Sequence, residues 1–283
     1  MFLIAGGDSE IGSATSRLMR ARGSKVVTTT RRPDAGAGEM QLDLSAPVDQ
    51  FTVPAGIRCA CIFAAIARLA TCEADPAGSL RINVTQTVAL VDHLTARGIY
   101  TLFLSTNQVF SGDKPQVPAD AALAPVSEYG RQKAETERQL QARMSGGAPI
   151  GVLRLAKVVS PGMALMTSWK QELAARRSIR AFHDMTMAPT PVDLVATAIA
   201  RMMDDHLSVT AQLTGPQDIT YFEVGRFLAR AMGVDPGLVE PVSALGSAMP
   251  RGSTPRNTTL DSSYVAERYG ITVPDAFDVF KTL

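Results

Sequence analysis

Tyr129 and Lys133 stand four residues apart in Tyr129-Gly130-Arg131-Gln132-Lys133, a spacing that puts a phenol and an amine on one face of a helix. A free tyrosine, with a pKa of about 10, exchanges protons poorly near neutrality. An ammonium about 4.5 Å away, at an effective dielectric near 20, favours the phenolate by about 3–4 kcal/mol, between two and three pKa units. So tuned, Tyr129 becomes a general acid or base. Upstream, Ser105-Thr106 closes the apolar run Tyr100-Thr101-Leu102-Phe103-Leu104. That places the Thr106 hydroxyl at the carboxyl end of a strand, the edge where open α/β sheets hold their ligands, ready to bond the same substrate oxygen as Tyr129.

The chain opens with apolar Phe2-Leu3-Ile4-Ala5 running into Gly6-Gly7-Asp8-Ser9-Glu10-Ile11-Gly12. A strand that delivers a glycine turn into a helix aims free backbone N–H groups and the helix dipole at a pyrophosphate. Gly6 and Gly12 fit that task, with Ser9 where a middle glycine often stands and Glu10 and Ile11 opening the helix. About twenty residues into such a unit a carboxylate holds the ribose diol of NAD, whereas an arginine accepts the 2′-phosphate of NADP. Here Thr30-Arg31-Arg32 offers two guanidinium groups and no carboxylate, so NADP(H) is preferred over NAD(H), by bidentate charge-assisted bonds to phosphate. Asp43 is placed to accept from the adenine amino group and Leu44 to pack on its ring. With a nicotinamide nucleotide in view, Lys133 gains a second use, bonding the ribose next to the reacting ring.

The elements that must position these groups follow from periodicity. Short β-type runs near 2–5, 25–30, 60–65, 100–104 and 150–155 alternate with helical stretches at 12–22, 78–97 and 128–143, the pattern of a parallel sheet covered on both faces. Ser127 is the expected N-cap of the third helix, and Gly146-Gly147 its stop. Beyond about 160 the alternation breaks down under repeated prolines. The expected fold is therefore α/β: a doubly wound Rossmann domain over 1–160, joined by 190–213 through a helix at 192–204, with a smaller substrate-binding lobe mainly over 161–283. Asp193 is expected to cap that helix.

Composition bounds the function. The 283 residues are 46% hydrophobic and 19% charged, with a formal net charge of +1. That suits a sizeable core and offers no clustered basic face for nucleic acid. No stretch approaches the roughly 20 apolar residues of a membrane span, and the N-terminus lacks a signal-peptide pattern, so a cytoplasmic location is expected. Cys59, Cys61 and Cys72 read as small buried hydrophobes. With His93, His183 and His206 scattered, no metal-ligand cluster is visible in the sequence.

The glycine turn, Ser105-Thr106-Asn107-Gln108-Val109-Phe110-Ser111-Gly112, Tyr129 with Lys133, and the closing Asn257-Thr258-Thr259-Leu260-Asp261 resemble the extended short-chain dehydrogenase/reductases. Within them, the chain resembles the sugar-nucleotide branch that includes dTDP-4-dehydrorhamnose reductase, over essentially its whole length. The resemblance implies that Thr106, Tyr129 and Lys133 form the catalytic triad and that Asn83 supports the site. It also implies that Ala64 and Ala65 flank the cofactor and that Lys157 and Val158, after Arg154, approach the nicotinamide. Arg154 itself is read equally as structural.

The implied activity is NADPH-dependent reduction of a nucleotide-linked 4-keto-6-deoxysugar. A 4-epimerase and a non-catalytic NADP(H)-binding regulatory subunit are the alternatives. Related dehydratases carry an Asp-Glu pair after the threonine; Asn107-Gln108 are amides that exchange no protons near neutrality, so dehydration is not expected. Asn107 and Gln108 are candidate substrate contacts, as are Trp169 and Arg180, which are placed to meet a base and a diphosphate. The long helices at 78–97 and 128–143 offer a route to a homodimer.

Overall fold

The computed structural model describes residues 1–36, 38–245 and 247–281. Its centre is a parallel sheet of β1 (Phe2–Ala5), β2 (Val26–Thr30), β3 (Glu39–Gln41), β4 (Cys59–Ile62), β5 (Tyr100–Thr106), β6 (Ile150–Leu155) and β7 (Thr210–Leu213). The spatial order is β7-β6-β5-β4-β1-β2-β3. Chain direction around the sheet reverses between β1 and β4, which leaves a crevice above their carboxyl ends. This is the doubly wound α/β architecture the alternating pattern predicts.

Successive strand side chains point to opposite faces, and both faces are covered. Ile4, Cys61, Leu102, Leu104 and Leu153 pack against Met19 of helix Glu10–Ala21 and against Val195, Ile199, Met202 and Met203 of helix Val192–Asp205. On the other face Leu3, Ala5, Ile62, Phe103 and Val152 pack beneath Leu90 and Leu94 of helix Thr87–Thr95 and Leu140 of helix Glu128–Ser145. Each such fully buried aliphatic side chain contributes about 1.5–3 kcal/mol relative to exposure, so the strand ends that carry the cleft rest on a two-sided core. A third core, with Trp169, Leu173, Ile179, Val224, Leu228 and Phe280, belongs to the C-terminal part.

Two local expectations are revised, and one open reading is decided. The helix expected over 78–97 is broken into Pro76–Leu80, a π-helical turn Arg81–Gln86 and Thr87–Thr95. Asp75 caps the first piece, its Oδ1 accepting from the Gly78 N–H at 2.9 Å, and the wider turn carries Asn83 into the interior; such turns favour functional places. Asp193 lies inside the first turn of its helix, whose N-cap is Pro191, and makes no capping bond. Arg154 is structural: buried at the end of β6, it donates to Glu137 Oε1 and Oε2 (2.7–3.1 Å), to the Ala119 carbonyl oxygen (2.9 Å) and to Gln212 Oε1 (3.1 Å). Cys59, Cys61 and Cys72 are buried free thiols, pushed up in pKa by loss of water.

Candidate active site

A cleft runs along the carboxyl ends of β2, β1, β4 and β5 as adjoining chambers. The first, about 330 Å³, is lined by Gly6, Asp8, Ser9, Arg31, Asp43, Leu44, Ala64 and Ala65 among others. The glycine turn is held to its path: Gly6 has φ +92°, and a Cβ there would lie 2.9 Å from the Ala64 nitrogen. A Cβ at Gly7 would lie 2.5 Å from Thr28 Cβ, a constraint the sequence reading did not assign. Gly12 does not line the chamber. It closes the turn from beneath, donating its N–H to Ser9 Oγ at 3.1 Å while Ser9 Oγ donates to the Gly6 carbonyl oxygen at 2.8 Å. Ser9 thus works as a helix cap in the place of the middle glycine.

The second chamber, about 500 Å³, shares Ser9, Phe63 and Ala65 with the first and is lined by Glu10, Ile11, Thr106, Tyr129, Lys133, Lys157 and Val158. The N–H groups of Glu10 and Ile11 open helix Glu10–Ala21, where a helix has no internal partner to offer them. Ser105 also lines this chamber, and its Oγ is buried with no hydrogen-bond partner among the described residues. These orphan donors, the narrow turn and the two joined chambers fit a dinucleotide: pyrophosphate over Glu10 and Ile11, adenosine toward Arg31 and Leu44, nicotinamide toward Tyr129. The Glu10 carboxylate is engaged by the Ser160 hydroxyl and lies in the field of Lys157. Asn83 does not line the cleft. It acts through Ile66, accepting from its N–H at 2.8 Å and donating to its carbonyl oxygen at 2.9 Å, while also donating to Gln132 Oε1 at 2.8 Å.

Tyr129 and Lys133 share the chamber, but not the electrostatics expected of an ammonium beside a phenol. Burial pushes the Tyr129 phenol above its ordinary value, with Cys72 adding to the rise. Burial also lowers Lys133 to about 7, against a smaller opposing effect of Glu137. Lys133 Nζ donates to the Leu104 carbonyl oxygen at 2.5 Å and lies 3.8 Å from the centre of the Phe103 ring, so the strand takes the amine and desolvation dominates. An unfolded lysine keeps its proton to about 10.5. The contribution of Lys133 to stability is therefore full above that value and lost as pH falls through about 7. Stability of the free chain is expected to rise between about pH 7 and 10.5, and Lys133→Met to flatten that rise, as read from urea midpoints across the range.

Beyond Tyr129 lies a third chamber of about 250 Å³, which shares Ala67, Tyr129, Ala156 and Lys157 with the second. Asn107 and Gln108 line it. Thr106 Oγ1 accepts from the Gln108 N–H at 3.2 Å and donates to Asn107 Oδ1 at 3.3 Å. Ser127 is fully buried; its Oγ accepts from the Gly130 N–H at 3.0 Å, so its own proton needs an acceptor, which is Gln108 Oε1 at 3.2 Å. Both amides thereby keep their NH2 groups free as donors. The far wall, with Thr186, Met187, Tyr221, Ser253 and Thr258, was not anticipated. Trp169 and Arg180, expected at the substrate, do not reach it. Trp169 packs in the third core with Val224 and Leu228, its ring close to Gly225, and Arg180 sits at an exposed position of the strand Ile179–Phe182 beside Glu240.

Comparison with known proteins agrees with this geometry. The RmlD substrate binding domain matches residues 1–278. The chain belongs to the RmlD substrate-binding-domain family. As a member it is an oxidoreductase of the extended short-chain dehydrogenase/reductase type. A probable low-salt glycan biosynthesis reductase, Agl14 of Haloferax volcanii, is 25% identical over 97% of this chain and 94% of its own length. The dTDP-4-keto-6-deoxy-D-glucose reductase of Streptomyces niveus is 26% identical over 85% and 82%. Methionine adenosyltransferase 2 subunit beta of Pongo abelii is 26% identical over 68% of this chain and 59% of its own. Among solved structures, the dTDP-4-dehydrorhamnose reductase of Bacillus anthracis in complex with NADP superposes with a TM-score of 0.82 at 15% identity, covering 99% and 96%. MoeE5 in complex with UDP-glucose and NAD gives 0.81 at 22%, covering 99% and 98%. At these identities the structural likeness shows the shared fold.

Proposed function

We propose that this family member reduces the 4-keto group of a nucleotide-linked 6-deoxysugar, with NADPH preferred as the reductant. The observation that carries the reading is the position of Tyr129, which lines both the dinucleotide chamber and the chamber beyond it. Residues 1–160 with 190–213 hold the dinucleotide in this reading, and 161–283 mainly shape the sugar site. When bound, the reduced nicotinamide supplies the hydride.

Everything else falls to side chains of this chain. Tyr129 Oη, held protonated near neutrality by burial, gives its proton to the carbonyl oxygen as that oxygen gains charge. Thr106 Oγ1, at the end of β5, turns its proton from Asn107 Oδ1 to the same oxygen. Lys133 Nζ leaves the Leu104 carbonyl oxygen for the ribose and for the field around Tyr129. Asn107 and Gln108 donate to the hydroxyl oxygens of the sugar, and being amides they stay out of proton exchange. A subunit used for binding alone has no need of Tyr129 and Lys133, and both are present in the chamber.

The purified chain, mixed with NADPH and a set of nucleoside-diphosphate 4-keto-6-deoxysugars, is expected to consume NADPH, followed by its absorbance. Absence of turnover on all of them overturns the reading. Isomerised sugar without net NADPH consumption replaces reduction by epimerisation.

A further inference from the structure

We infer that Asp8 opposes Arg31 in setting cofactor preference: its carboxylate accepts from the ribose 2′-hydroxyl of NAD(H) and repels the 2′-phosphate of NADP(H). The inference rests on the dinucleotide reading of the cleft. In the sequence, the end of β2 shows two arginines and no acid. The structure changes that inventory, because the turn after β1 carries an acid to the same place: Asp8 and Arg31 line one chamber, at the carboxyl end of β2, where the adenosine ribose lies in this fold.

The carboxylate is held there by a chain of bonds. Thr30 Oγ1 accepts from the Arg32 N–H at 3.2 Å and from Arg32 Nε at 3.3 Å, so its own proton goes to Asp8 Oδ2, at 3.2 Å. Asp8 Oδ1 has no partner among the described residues. The same chain of bonds removes one of the two arginines. Arg32 is drawn to Thr30 and toward Glu39, at 3.6 Å, and does not line the chamber.

Among these charged groups, one guanidinium, Arg31, and two carboxylates, Asp8 and Asp43, therefore line this chamber, Asp43 at the end given to the adenine and Asp8 beside the Arg31 end. A phosphate monoester brings about two negative charges near neutrality, attracted by Arg31 and repelled by Asp8. A diol brings none and donates to a carboxylate by a charge-assisted bond. Both nucleotides are thus admitted, and the two side chains pull their ratio in opposite directions.

Dissociation constants for NADPH and NADH, measured by nucleotide fluorescence on the full chain, test this. Asp8→Asn is expected to tighten NADPH and weaken NADH, moving their ratio about tenfold, which corresponds to about 1.4 kcal/mol. Asp8→Ala is expected to move it the same way, and Arg31→Ala the opposite way. Equal changes for both nucleotides, or no change, in the Asp8 variants overturn the assignment while leaving the cofactor reading intact. Failure of the unaltered chain to bind either nucleotide overturns both.

Discussion

Tyr129→Phe is expected to lower kcat by about 10²–10⁴-fold, the usual span for a positioned general acid, with the dissociation constant for NADPH and the melting temperature nearly unchanged. The selectivity of the effect follows from the surroundings of the phenol. Its hydroxyl makes no hydrogen bond among the described residues, so its removal leaves no partner stranded and keeps the ring in place. The Gly6–Gly12 turn and Arg31, which are assigned the pyrophosphate and the ribose, lie away from it in the neighbouring chamber. Single-turnover kinetics with NADPH and a 4-keto sugar nucleotide, beside fluorescence titration of NADPH, separate the two quantities. Undiminished turnover would remove Tyr129 from the chemistry. Equal losses of turnover and NADPH affinity would make it a binding residue.

The second large effect concerns stability. Arg154 and Glu137 are 4% and 0% exposed at their side chains and meet at 2.7 Å. Arg154→Leu leaves the Glu137 carboxylate buried without its partner, a change expected to cost about 3–5 kcal/mol. The Ala119 carbonyl oxygen and Gln212 Oε1 lose a donor at the same time. Replacing both members, Arg154→Leu with Glu137→Leu, is expected to restore much of the loss, because no unpaired charge is then left inside. Urea unfolding of the two single variants and the double variant measures this directly. A single Arg154→Leu variant as stable as the parent would show that the pair contributes nothing.

Much of the cleft was legible in the sequence because its groups are local to strand ends. Phe2–Ala5 and Tyr100–Thr106 announce themselves as apolar runs, and the turn and hydroxyls that follow them are read off directly. Tyr129 and Lys133 carry their own spacing. What escaped was set by contacts between distant segments. Asp8 was in plain view within the glycine turn, yet only the fold shows that it stands beside Arg31. Nothing in its neighbours says that Arg32 is drawn away by Thr30. Asn83 looked like one position on an unbroken helix, whereas the π-helical turn directs it to Ile66 and Gln132. The electrostatics of Lys133 depend on Leu104 and Phe103, whose carbonyl oxygen and ring no spacing rule places next to the amine. Trp169 had an aromatic ring suited to a base, but the apolar faces of neighbouring elements claimed it.

The closing segment has a consequence for how the chain is put together. The Asn257 N–H donates to the Gly112 carbonyl oxygen at 2.9 Å, the Asp261 N–H to that of Val117 at 3.0 Å, and Gln212 Nε2 to those of Val117 and Asp261. The last quarter of the protein is thereby stitched to the excursion between β5 and the tyrosine-bearing helix. Shortening the chain after β7 would strip acceptors and donors from that excursion, so the residues up to β7 are not expected to stand intact as a separate miniature.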